Sequence, residues 1–215
     1  MTYTFLLPFA TMLFVIIYFD KKYAMLRDST KAATHKPYSW SRVQMAWWTL
    51  LILSSFIAIL CQNGVAPEMD ESSLILLGIS VATTATARMI DISDETKEGV
   101  IRHQDSFGKN FFLDILSDEG GVSIHRFQTL VFNLAFGVWF IAEVNIGLHT
   151  CTTEACSNAI IPIISPNNLI LLGLSSATYA ALKSTENKIP TVATIHNDEP
   201  DTVPDEAIIT TIAQG

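Results

Sequence analysis

SLILLGISVAT, residues 73–83, returns 95 residues later as NLILLGLSSAT, residues 168–178. Four apolar residues followed by Gly and then by Ser, Ala and Thr form no phosphate loop, no metal set and no nucleophile motif. The phrase has the composition of one membrane helix lying close against another. Lipid gives helices little hydrophobic reason to associate, so small residues and interhelical hydrogen bonds hold them together.

The upstream flank repeats as well. SWSRVQ (residues 39–44) matches SIHRFQ (residues 123–128) at an offset of 84, so Ser39, Arg42 and Gln44 align with Ser123, Arg126 and Gln128. Downstream of the phrase, Arg88 aligns with Lys183 and Asp91 with Glu186. Each copy is S-x-x-R-x-Q, an apolar run, a short loop, L-I-L-L-G-[IL]-S-x-A-T, then a base and an acid three residues apart. The unit is a helical hairpin that enters and leaves a bilayer on one side. Two copies in the same orientation are parallel repeats about an axis along the membrane normal.

Composition agrees. The 215 residues are 49 % hydrophobic and only 16 % charged, which falls outside the usual range for a soluble domain. A crossing helix needs about 17–25 apolar residues. Five stretches approach that length: Thr2–Phe19, Met45–Gln62, Leu74–Ile90, Phe127–Ile146 and Leu169 to about Leu182. The first precedes Asp20, Lys21 and Lys22 rather than following a basic segment, so it is expected to be a retained span and not a cleaved signal. The expected fold is an all-α integral membrane protein of five transmembrane helices, with two parallel repeated hairpins forming a four-helix bundle and an added N-terminal helix. The divisions are 1–37 for the first helix and its basic linker, 38–91 for the first hairpin, 92–122 for a connecting loop, 123–186 for the second hairpin and 187–215 for a polar, acidic tail expected to be disordered.

Lys and Arg near span ends mark cytoplasmic loops. The linker after the first span, the loop after the third and the start of the tail hold them, whereas residues 63–73 and 147–168 contain none. This implies an outer N-terminus and a cytoplasmic C-terminus in a bacterial inner membrane. Cys151 and Cys156 then lie in an outer loop, where they can form a disulfide or stay as two thiols. The formal charge of −8 gathers in the loop after Asp91 and in the tail, and no basic stripe suits nucleic acid.

The candidate residues follow from this frame. Gly78, Ser80, Ala82 and Thr83 with Gly173, Ser175, Ala177 and Thr178 are expected to pack helices or, in the alternative, to line a pore. Arg42 and Arg126 begin outgoing helices at the depth where Asp91 and Glu186 end returning ones. They are expected to pair within or across hairpins, or to snorkel separately into headgroups. Gln44, Gln128, Asn133 and Glu143 are intramembrane polar groups and thus functional candidates. Phe107, Phe111, Phe112, Ile115 and Leu116 form the stripe of a short amphipathic helix in the 92–122 loop, lying on the membrane or docked under the bundle.

No motif supports catalysis, and no metal or cofactor is implied. The doubled S-x-x-R-x-Q and L-L-G-[IL]-S-x-A-T pattern, with FFLDILSDEGGVSIHRFQ between the copies, resembles a group of small bacterial inner-membrane proteins over residues 38–186. The resemblance implies a membrane location and carries no activity. Two functions are expected: a homo-oligomeric scaffold offering the 92–122 loop or the tail to a cytoplasmic protein partner, or a channel or permeabilising effector lined by the third and fifth spans. A transporter is a weaker third, because no span is broken at its midpoint.

Overall fold

The structure is a computed structural model that describes residues 3–28, 36–96, 108, 110–118, 121–151 and 153–186. Six helices carry it: α1 (Tyr3–Tyr23), α2 (Trp40–Asn63), α3 (Glu71–Glu95), α4 (Phe111–Leu116), α5 (Ile124–Thr150) and α6 (Pro166–Glu186). A two-residue antiparallel ladder, Ser117–Asp118 with Gly121–Val122, links α4 to α5, and a 3₁₀ turn spans Glu154–Ala159.

Each long helix outruns its apolar stretch by a few residues because polar caps lie beyond it. Ser39 and Ser123, the repeated serines of S-x-x-R-x-Q, hold the N-cap position of α2 and α5 in the same extended conformation. Asp70 caps α3 by accepting from the Ser72 N–H at 2.8 Å. Gly64, with φ +72°, ends α2 in the left-handed conformation that glycine adopts without a Cβ penalty. Pro166 opens α6 at the first helical position, where its missing N–H costs nothing. The helix starts keep both offsets, α5 lying 84 residues after α2 and α6 lying 95 after α3.

Among the described residues four helices, α1, α2, α3 and α5, are long and apolar enough to cross a membrane. At 21 residues α6 has the length, but it is not among them. Asn167 and Asn168 at its start and Lys183 and Glu186 at its end flank a shorter apolar centre. Neighbours around the bundle are α2 with α3, α3 with α6, α6 with α5 and α5 with α2, while α1 lies against α2. One contiguous apolar cluster joins the four bundle helices, with Trp48, Leu51, Leu76, Phe140, Val144 and Leu172 essentially without exposure. A smaller cluster of Trp40, Ala87, Ile115 and Tyr179 closes the end that carries α4.

The loop helix is shorter than the stripe implied. It starts at Phe111, with Asn110 accepting from the Leu113 N–H, and the ladder ends it before Gly120; Phe107 and the tail from residue 187 onward lie outside the described residues.

Candidate functional site

Asn133 and Gln44, two buried amides, reach across to other helices. Asn133 of α5 accepts from the Trp48 indole N–H of α2 at 2.7 Å through Oδ1 and donates through Nδ2 to the Thr129 carbonyl at 2.8 Å. Trp47 donates to the Asn133 carbonyl at 3.2 Å. The Trp47 indole lies flat on Gly137, where an added Cβ would overlap the ring. One residue type thus fixes a register, and Gly137 allows α2 and α5 to approach.

Gln44 donates to the Ser176 hydroxyl of α6 at 2.8 Å, deep inside the bundle. Its partner in the repeat, Gln128, is exposed, and the sequence explains the difference. The position corresponding to Ser176 in the first copy is Val81, which offers no hydroxyl. Thr84 ties α3 to the Ser41 carbonyl of α2 at 3.1 Å, and Thr129 approaches the Ser175 carbonyl of α6 at 3.4 Å.

Three hydroxyls of the repeated phrase, those of Ser80, Thr83 and Ser175, turn back to their own helices. Ser80 donates to the Leu76 carbonyl at 3.0 Å, Thr83 to that of Ile79 at 2.7 Å and Ser175 to that of Leu171 at 2.9 Å. This satisfies each group locally. Gly78 is exposed with open space around it, a Cβ added at Gly173 would meet Ile79 at ordinary van der Waals distance, and Ala82, Ala177 and Thr178 are exposed. Beside them a groove of about 640 Å³ runs between α3 and α6, walled by Ala82, Thr86, Gly173, Ala177 and Ala180.

At the α4 end a further charge pair lies among the groups of the expected Arg–acid pairs. Asp91 of α3 meets Lys183 of α6, Oδ1 to Nζ at 3.0 Å and Oδ2 at 3.3 Å, with the two side chains 7 % and 3 % exposed. Asp28 in the linker is a second carboxylate within electrostatic reach of that ammonium. Arg126 lies over the Tyr179 ring at 5.5 Å, and Arg42 donates to the Met25 carbonyl at 3.3 Å. The Glu186 side chain lies outside the described residues.

The linker after α1 folds back on this end. Asp20 accepts from the Leu26 N–H at 3.0 Å and from the Tyr38 phenol at 3.1 Å, while Arg27 donates to the same phenol at 3.0 Å and pairs with Asp20 at 3.7 Å. Burial, then the neighbouring Asp20 carboxylate, pushes the Tyr38 phenol above its ordinary pKa. Asp114 of α4 accepts from the Tyr38 N–H at 3.3 Å, so the linker also anchors the short helix.

At the opposite end Cys151 and Cys156 form a disulfide, Cα to Cα 5.8 Å. Gln62 donates to the Leu148 and Cys151 carbonyls at 2.7 and 3.1 Å, and Asn63 to the Ser157 hydroxyl at 2.8 Å. The loops thereby close over the bundle. Glu143 is half-buried on α5, and Cys61, the free cysteine among the described residues, is exposed.

Lys183 and Gly137 are the structural residues that pattern reading missed. Lys183 was visible as the counterpart of Arg88, but only the packing shows it buried and Arg88 half-buried. No group of three or more His, Cys, Asp or Glu could hold a metal among the described residues. No family model, curated protein or solved structure matches the chain. Among the described residues the fold is helical apart from one two-residue ladder, with four helices long and apolar enough to cross a membrane.

Proposed function

We propose that the chain is a non-catalytic inner-membrane scaffold. In this reading α6 is a fifth span and α2–α3 and α5–α6 are duplicated parallel hairpins. The N-terminus lies outside, and the face bearing α4 is offered to a cytoplasmic protein partner. The shared helix-start offsets and the twin Ser39 and Ser123 caps support the duplication. The lack of Lys and Arg in the loops around residues 63–73 and 147–168 supports the orientation.

One observation favours a scaffold over a pore: the Ser80, Thr83 and Ser175 hydroxyls are spent on their own helices around a contiguous apolar cluster. A water path through a single chain would need those groups free to replace hydration. Copies associate, in this account, through the exposed small residues Gly78, Ala82 and Ala177, where backbones can come close.

The second reading is a channel formed between copies, with the α3–α6 groove as its wall. Mass measurement of the protein in nanodiscs combined with planar-bilayer recording separates the two. Defined oligomers without conductance support the scaffold; ohmic conductance that Gly78→Leu abolishes supports the channel. A strict monomer without conductance overturns both.

A further inference from the structure

A cavity of about 270 Å³ lies between α2, α4 and α5, with Gln44, Trp47 and Asn133 of the polar seam in its inner wall and the α3–α6 groove elsewhere. Trp40, Val43, Trp47, Phe111, Ile115 and Leu130 form most of its wall, and its rim includes Phe112 and Leu134, 65 % and 52 % exposed. Leu134 belongs to an outward stripe of α5 that runs Ile124, Phe127, Val131, Leu134, Val138, all exposed and spaced alternately three and four residues apart. Such a stripe on a membrane-crossing helix faces acyl chains, so the cavity opens sideways into the bilayer.

Depth fits the same occupant. Leu134 lies ten residues into α5 from Ile124, about 15 Å at a rise of about 1.5 Å per residue, which is one leaflet of a hydrocarbon core about 30 Å thick. Taking a methylene as close to a water in volume, about 30 Å³, the cavity admits about nine carbons of one chain.

Trp40 of the wall also carries an unmet donor. It is the first residue of α2 and buried, and its indole Nε1–H has no hydrogen-bond partner among the described residues. A first-turn residue sits at the level where lipid esters lie, and an ester carbonyl is an acceptor that the protein does not supply there. We infer that the α2–α4–α5 cavity holds a single phospholipid acyl chain from the leaflet on the α4 side, with its ester near Trp40. Moving a chain from bilayer to cavity gains no hydrophobic energy. It restores the dispersion contacts that an empty wall forfeits, and it gives the indole a partner.

The inference needs only a bilayer-spanning bundle and is independent of the scaffold reading. Delipidated full-length Trp139→Phe protein is titrated with 1-palmitoyl-2-(9,10-dibromostearoyl)phosphatidylcholine in detergent, and tryptophan emission is followed. Quenching should saturate at one lipid per chain, and native mass spectrometry should show one retained phospholipid. Leu130→Phe and Val43→Phe, which fill the space, should each lose both signals, Trp40→Phe should weaken retention several-fold, and Val138→Phe on the outer stripe should change neither. Linear, unsaturable quenching of the parent protein overturns the inference without any variant having to fold. So does equal lipid retention by well-folded filling variants, or loss of oligomer instead of lipid in those variants.

Discussion

Replacing Lys183 by Met tests the joint between α3 and α6. The substitution keeps length and apolar volume but leaves Asp91, itself 5 % exposed, facing a neutral chain. Two charges taken out of water are held by their mutual attraction at 3.0 Å, and removing one from a buried pair costs about 3–5 kcal/mol. For a chain of this size about 1 kcal/mol shifts a thermal midpoint by about 2–4 °C, so Lys183→Met should lower it by roughly 6–20 °C. Asp91→Leu alone should lower it by less, because Asp28 remains within electrostatic reach of the ammonium. The double variant Lys183→Met/Asp91→Leu removes both desolvated charges and should recover most of the loss, as buried pairs replaced by apolar residues often do. Thermal unfolding in detergent, read by circular dichroism and by thiol reactivity, supplies the cycle. Additive losses in the double variant, or a parental midpoint for Lys183→Met, would refute the claim that this pair locks α3 to α6.

Gly137→Ala should destabilise by about 1–3 kcal/mol because its methyl meets the Trp47 ring, while Gly78→Ala should leave the thermal midpoint unchanged; the reverse order sinks the packing assignment. Asn133→Leu strands the Trp48 indole N–H and should cost about 1–3 kcal/mol, measured by the same unfolding assay. Tyr38 has a phenol held neutral in the fold beyond its unfolded pKa of about 10. Its stabilising contribution is therefore full below that pH and is lost as pH rises through the higher folded value. A stability profile from pH 9 upward, as an approximate window, should decline more steeply for the parent than for Tyr38→Phe.

How much of this was legible before the structure depended on what each signal encodes. Apolar length placed α1, α2, α3 and α5 because the bilayer imposes one ruler on any crossing helix. The disulfide was one of two open readings, settled by the turn that brings Cys151 and Cys156 together.

Which neighbour each side chain meets was not legible, because a helical pattern fixes a face without naming its partner. Gly78 and Gly173 stood out through repetition, yet the close approach falls at Gly137, a single glycine in an apolar run whose meaning comes from Trp47 on another helix. Asp91 aligned with an arginine by depth but meets Lys183, because α3 packs on α6 and the bundle hides that face from water. Gln44 and Gln128 looked equivalent until Ser176 and Val81 separated them.

The central claim is that α6 crosses the bilayer and closes a second hairpin. The direct measurement is impermeant-maleimide labelling of intact cells that express single-cysteine variants in a Cys61→Ala background with the disulfide kept. Asn167→Cys, exposed at the start of α6, should label at once; Thr185→Cys, exposed at its end, should label only after permeabilisation. Labelling of both from the same side would show that α6 does not span, and the duplicated-hairpin account would fall with it.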